Sequence, residues 1–216
     1  MILYVNGDSH SYGTDAGGPK FSYGQRLADH LKAEFVCHAR AGASNARIIR
    51  TTREYLANNK PDFIIIGWST WEREEWEFNG YYFDVNGSGH QVLHKDLENR
   101  YKEWVVTTAT NWRAHEQTAH KTIWDFHQEL EQINIPHLFF NCYSYFEIIG
   151  KTDYPKHDWG TSYLAPYDKN QTYYYWLESQ GYTPSNPAFF HYGPDAHRAW
   201  ANFLLTKLTN ESIITT

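Results

Sequence analysis

"DFIIIGW", residues 62–68, is a short, continuously apolar run rich in β-branched side chains. Such a run reads as a strand covered on both faces, as in a parallel sheet between two layers of helices. Upstream, "ILYVNGD" (2–8) is a second run of this kind and ends in a tight loop. "FSYGQRLADHLKA" (21–33) follows it with Leu27, Ala28 and Leu31 at helical spacing, and "EFVCHA" (34–39) is another short strand. Ser44 is placed to cap a helix whose Ile48, Ile49, Thr52, Tyr55 and Leu56 share one face; Asn58, Asn59 and Pro61 end it. The order is therefore β-α-β-α-β, which implies parallel strands joined by right-handed crossovers.

Downstream, residues 78–93 break the alternation. Their Asn-Gly pair and Gly-rich tip predict an inserted β-hairpin. A helical region spans about 95–134 as two helices, with Ile123, Phe126, Leu130 and Ile133 marking its apolar stripe. "PHLFFNCYS" (136–144) is a fourth strand. Residues 150–193 are irregular, with one short helix near 170–180, and a loop of that length is usually functional or a lid. "GPDAHRAWANFLLTKL" predicts a last helix with Pro194 in its first turn and Trp200, Phe203, Leu204 and Leu208 facing inward. The expectation is one α/β/α domain over residues 1–216, with a parallel sheet of about five strands plus the hairpin and the long loop.

The charge balance of -6 and a pI near 6.0 leave no basic stripe, so nucleic acid is not an expected partner. No apolar run approaches the length of a membrane span. Met1 leads directly into a strand, so no signal peptide is expected and the cytoplasm is the expected location. Cys37 and Cys142 lie in apolar runs and read as buried free thiols, which suits a reducing compartment. The 9 Trp, 17 Tyr and 12 Phe admit two readings, an aromatic-rich core or a platform on which sugar rings stack.

In an open parallel sheet, ligands bind beyond the carboxyl ends of the strands. Ser9 lies past the first strand, Gly42 past the second, and Gly67, Trp68 and Ser69 past the third, so three polar loops share one crevice. A serine nucleophile needs a base and an oxyanion hole. Among 12 histidines, His191 is placed to return to that crevice, immediately before the last helix.

"NGDSHSYG", "ARAGASNARIIR", "IIIGWSTWERE" and "FHYGPDAHRAWANFL" resemble, in order, the four blocks of the SGNH (GDSL-type) hydrolases. Within that family the likeness is nearest to small proteins of tailed-phage genomes. The resemblance implies a flavodoxin-like fold and hydrolysis of carboxylic esters and sugar O-acetyl groups. Ser9 matches the family nucleophile and first oxyanion N–H, Gly42 the second oxyanion N–H, and His191 the base.

Two positions depart from the family pattern. The third block normally supplies an oxyanion Asn, where this chain has Gly67-Trp68-Ser69; Ser69, Thr70 or Asn45 are the substitutes available. The triad Asp normally stands three residues before the histidine, where this chain has Ala188. A main-chain carbonyl, Asp195 or Asp158 are the expected orienting groups for His191, or a Ser-His dyad acts alone.

Each residue also has a plainer reading. Ser9 is a turn serine, Gly42 a left-handed turn residue, Ser44 an N-cap, Asn45 an early helix residue and His191 a loop histidine. His197 is solvent-facing or structural. Asp8 supports the turn, and Asp195 compensates the helix dipole. "WEREE" (71–75) is a solvated charged stretch, unless Arg73 clamps an acidic group. The Asp8–His10 pair invites a metallophosphoesterase reading, but the further ligand loops that such a site needs are missing, so no metal and no cofactor are expected.

The favoured function is a serine hydrolase acting on a small ester or an acylated carbohydrate. The alternative is a weakened or inactive relative that binds a glycan or serves as a structural or assembly component. A flavodoxin-type binder is disfavoured because the first loop lacks a Ser/Thr-rich phosphate cradle.

Overall fold

In a computed structural model, the described residues are 1–87, 89–90, 94–151, 153–186 and 190–210. Four parallel strands form the main sheet: β1 (Ile2–Gly7), β2 (Glu34–Cys37), β3 (Phe63–Trp68) and β7 (His137–Asn141), in the order β2-β1-β3-β7. The helices are α1 (Ser9–Tyr12), α2 (Tyr23–Leu31), α3 (Asn45–Leu56), α4 (Glu98–Thr107), α5 (Trp112–Gln132), α6 (Tyr173–Ser179) and α7 (Pro194–Asn210). The α/β alternation of the sequence is thus the alternation of the fold.

Period-two alternation along each strand divides the core into two layers. Leu3, Val5, Phe63, Ile65, Leu138 and Phe140 face α2 and α7, where Leu27, Ala28, Trp200, Leu204 and Leu208 are buried. Tyr4, Ile64, Ile66, Trp68 and Phe139 face α3 and α5, meeting Ile48, Ile49, Ile123 and Phe126. With both faces covered, every residue of β3 is buried, and this is why that strand reads as an unbroken apolar run.

Among the described residues the sheet has four strands rather than about five. Beyond β7, a single parallel bridge joins Tyr163 to Phe139, with the Phe139 N–H donating to Ser162 O and the Leu164 N–H to Phe139 O. Ala165 then turns to a φ of +36°, and Pro166 has no N–H to give, so the pairing stops after one residue.

The inserted hairpin begins earlier than its Asn-Gly signal indicates. Strands β4 (Glu74–Phe78), β5 (Tyr81–Asn86) and β6 (Gly89–His90) form a separate antiparallel sheet. Its first turn is Asn79-Gly80, both at positive φ, as a two-residue hairpin turn demands. Residues 88 and 91–93 of the expected hairpin lie outside the described residues.

The charged stretch 71–75 is correspondingly not a solvated one. Glu75 takes two hydrogen bonds from Arg50, at 2.8 and 2.6 Å, and the Glu74 carboxylate accepts both Trp76 Nε1 and Trp104 Nε1 at 2.7 Å. The buried carboxylate of Asp84 in β5 meets Arg40 at 3.6 Å, which ties the hairpin to the loop carrying Gly42. Most of the aromatic complement lies in the two core layers, Tyr4, Tyr23, Trp68, Tyr173 and Trp200 among the largest buried side chains. Cys37 is half-buried and Cys142 buried, both as free thiols.

Candidate active site

The site forms at the carboxyl end of β1. Asp8 caps α1 by accepting the His10 N–H at 3.0 Å, so the helix begins at Ser9. The helix stops after one turn at Gly13, whose φ is +75°. Ser11 turns inward between β1 and β3 and accepts the Tyr23 hydroxyl proton at 2.8 Å. That seat explains two glycines: a Cβ on Gly7 would lie 2.2 Å from Ser11 Oγ, and one on Gly67 would lie 2.5 Å from the same atom.

His191 reaches Ser9 from the far end of the chain, with Nε2 2.8 Å from Ser9 Oγ. An antiparallel bridge between Asn186 and His191 and the Ser185 N–H on His191 O (2.8 Å) hold its backbone. Tyr192 donates its hydroxyl to Tyr174 O at 3.2 Å, and α7 starts at Pro194. The ring of buried His10 stands edge-on to His191, centroids 5.3 Å apart, and burial pushes the His10 pKa down to about 4.

The other nitrogen of His191, Nδ1, lies 3.3 Å from Asp15 Oδ2. Asp15 sits on a 3-10 turn, Thr14–Ala16, just past the helix that begins at Ser9. Nothing in the sequence reading singles it out, and the only local signal is the glycine spacing of "GTDAGG" (13–18). Neither carboxylate expected at His191 is there. Asp195 is exposed and pairs with Arg198 at 3.0 Å, while Asp158 accepts the Gly160 N–H in its own turn. Ala188 lies outside the described residues.

Gly42 has a φ of +82° in a turn closed by the Ala43 N–H on Arg40 O; the Arg40 N–H in turn donates to Gly7 O at 3.1 Å. The second loop is thereby fastened to the strand end that presents Ser9. Ser44 caps α3 through the Arg47 N–H. The Asn45 side chain is engaged with the Ser69 backbone, accepting its N–H at 2.9 Å and donating to its carbonyl at 3.3 Å. Ser69 is fully buried and its Oγ makes no hydrogen bond among the described residues; Thr70 donates to Glu72 instead. Arg73 meets Asp8 at 3.5 Å, so its charge supports the loop that carries Ser9.

His197 is buried rather than solvent-facing. Its Nδ1 accepts the Tyr23 N–H at 3.2 Å, and burial lowers its pKa to about 3.

One group of metal-ligating side chains occurs among the described residues, at the opposite end of the sheet: His127, Glu131 and His137. His137 Nδ1 is hydrogen-bonded to Ile135 O, and since a carbonyl only accepts, Nδ1 carries the proton. His137 Nε2 therefore accepts from His127 Nδ1, 2.8 Å away. Both rings are satisfied by this arrangement.

Two cavities open at the carboxyl end of the sheet and share Trp71. One, of about 250 Å³, is lined by Asn45, Arg73 and His115. The other, of about 230 Å³, is lined by Trp112, Tyr143, Tyr145, Glu147 and Tyr175. Tyr143 also packs on Phe190, the neighbour of His191, at 6.0 Å between centroids. No helix among the described residues is long and apolar enough to cross a membrane.

Over 98% of this chain and 99% of the other, the protein superposes on TesA with a TM-score of 0.57 at 13% identity. A G-D-S-L family protein from Desulfitobacterium hafniense DCB-2 matches over 96% and 100%, with a TM-score of 0.51 and 12% identity. The fold is that of the GDSL-type hydrolases and esterases. The acetyl xylan esterase Est2A of the rumen bacterium Butyrivibrio proteoclasticus shares it over 98% of this chain and 64% of its own, with a TM-score of 0.52 and 13% identity. No protein-family model and no curated protein sequence matches the chain.

Proposed function

We propose that the protein is a serine hydrolase of carboxylic esters, with an acylated carbohydrate as substrate. The observation that carries this reading is the 2.8 Å contact between Ser9 Oγ and His191 Nε2. A nucleophile and base at this distance are poised for proton transfer as the Oγ–acyl bond forms.

In the first half-reaction Ser9 Oγ attacks the ester carbonyl and its proton passes to Nε2. The negative charge on the carbonyl oxygen falls to the N–H groups of Ser9 and Gly42. When the tetrahedral intermediate collapses, the alkoxide leaves with the proton from Nε2, and Ser9 stays acylated. Water then gives a proton to Nε2, its oxygen attacks the acyl carbon, and the acid is released as Ser9 recovers its proton.

The carbohydrate part of the proposal is supported by the aromatic cavity beside Phe190. Trp112 and Tyr143 offer apolar faces, and Glu147, Tyr145 and Tyr175 offer polar groups, a mixture that suits a sugar ring. The fold shared with an acetyl xylan esterase is in keeping with this. The non-catalytic alternative rested on the missing Asp and Asn, and the formed Ser-His contact weighs against it.

The test is hydrolysis of p-nitrophenyl acetate by wild type, Ser9→Ala and His191→Ala, together with labelling by a fluorophosphonate. The expected result is a loss of about 10³-fold or more in both variants, with the label on Ser9. Equal rates in all three, and no label, would remove Ser9 as the nucleophile.

A further inference from the structure

We infer that Asp15 is the positioning carboxylate of this site: its Oδ2 holds His191 through Nδ1, doing from the nucleophile's own loop what the family resemblance places three residues before the histidine. The inference rests on the Ser9–His191 reading above and extends it.

The imidazole is flanked at both nitrogens, by a hydrogen bond at Nε2 and by a carboxylate at ion-pair distance from Nδ1. Nε2 faces Ser9 Oγ at 2.8 Å, and Nδ1 faces Asp15 Oδ2 at 3.3 Å. A carboxylate beside Nδ1 favours the tautomer protonated there, which leaves the Nε2 lone pair free to take the serine proton. Such contacts are frequently long in a resting site and tighten when substrate binds. Asp15 Oδ2 is buried and accepts no hydrogen bond among the described residues, so its 3.3 Å approach to Nδ1 is an ion-pair contact that needs only a small reorientation to become a hydrogen bond.

The other candidate carboxylates are engaged elsewhere. Asp8 accepts the His10 N–H and meets Arg73, Asp195 pairs with Arg198, and Asp158 accepts the Gly160 N–H. The family position carries Ala188, which has no carboxylate.

The local chain is built to hold Asp15 in place. Gly13, Gly17 and Gly18 have φ of +75°, +100° and +92°, conformations that side chains with a Cβ rarely adopt. They let residues 13–18 fold back on themselves, with the N–H groups of Ala16 and Gly18 both donating to Gly13 O at 3.0 and 2.9 Å. Thr14 Oγ1 donates to Ser9 O at 3.3 Å, so one tight loop fixes both the nucleophile's backbone and the carboxylate. During the reaction Asp15 orients the ring and stabilises the imidazolium formed when Nε2 receives the Ser9 proton.

The experiment uses the full chain as wild type, Ser9→Ala, His191→Gln, Asp15→Asn and Asp15→Ala. Three readouts are taken: p-nitrophenyl acetate kinetics across pH, fluorophosphonate labelling, and the imidazole N–H proton NMR spectrum, with Tm as a control for folding. For Asp15→Asn the expected result is a fall in kcat of about 10²- to 10⁴-fold, with KM changed less than threefold and Tm unchanged. A downfield N–H resonance, absent from His191→Gln, should move upfield in Asp15→Asn.

Retention of wild-type kcat within threefold by Asp15→Asn, while Ser9→Ala is inert, overturns the role of Asp15 and leaves the Ser-His pair standing. If wild type neither hydrolyses nor labels, the hydrolase reading falls and the NMR signal decides Asp15 by itself. A resonance that moves in Asp15→Asn upholds the contact. One that is absent from wild type, or unmoved by the substitution, overturns it.

Discussion

Asn45 and Ser69 hold each other by a reciprocal pair of hydrogen bonds, the Asn45 side-chain amide meeting both the N–H and the carbonyl of Ser69. The pair links the start of α3 to the loop after β3, two of the three loops that surround Ser9. Replacing Asn45 by Ala leaves a buried N–H and a buried carbonyl without partners. The expected cost is about 1–3 kcal/mol of stability, read from urea unfolding, with a parallel fall in kcat as the loop shifts. Unchanged unfolding in Asn45→Ala would show that the pair contributes nothing to the fold.

Gly67→Ala tests the packing under the site. Its Cβ would stand 2.5 Å from Ser11 Oγ, 2.8 Å from Cys142 Sγ and 2.8 Å from Phe140 Cζ. Overpacking of this kind costs about 1–3 kcal/mol. Because Ser11 belongs to α1, the displacement should also reach Ser9, so Tm and kcat are expected to fall together. A variant with normal Tm and normal kcat contradicts this packing.

Trp112→Ala tests the proposed role of the aromatic cavity as a sugar platform. Trp112 is 59% exposed and lines the cavity with Tyr143 and Tyr175. On acetylated xylo-oligosaccharides the expected effect is a rise in KM of about tenfold, equivalent to about 1.4 kcal/mol of lost binding. The effect on p-nitrophenyl acetate, which has no sugar ring, should be smaller. Equal effects on both substrates would locate the sugar elsewhere.

The buried histidines make stability depend on acid. Burial lowers the pKa of His10, His120 and His137 to about 4 and that of His197 to about 3. In the unfolded chain all four titrate near 6.5, so between pH 6.5 and 4 the unfolded state binds protons that the folded state does not. The stabilisation from keeping them neutral is present above pH 6.5 and is lost as pH falls toward 4. Each group contributes a slope of up to about 1.4 kcal/mol per pH unit in that window. Urea unfolding at pH 7.5 and pH 5.0 should show a large loss at the lower value. Similar stability at both would mean that these rings are protonated in the folded protein.

The main sheet and its helices are legible because their signals are local: apolar runs for β1, β3 and β7, spacing for α2 and α3, and Pro194 at the start of α7. Ser9, Gly42 and His191 could be nominated because each lies next to such an element. Asp15 was not visible, since its meaning depends on a histidine met only in three dimensions. The same holds for Glu74 and Glu75, whose partners Trp104 and Arg50 are distant in sequence. His197 reads as a polar helix residue until Tyr23 and Tyr173 close over it. The fifth strand failed at Ala165, where backbone geometry, not composition, ended the pairing.

The Ser9–His191 contact joins residues 182 positions apart. Closing so long a loop carries an entropic cost that is met only after the sheet and α7 have come together. The side chains of the first loop are made early in synthesis, but His191 arrives with the last helix. Under the proposed mechanism a partly made chain carries a serine without its base, and labelling of Ser9 becomes a report that the chain has finished folding.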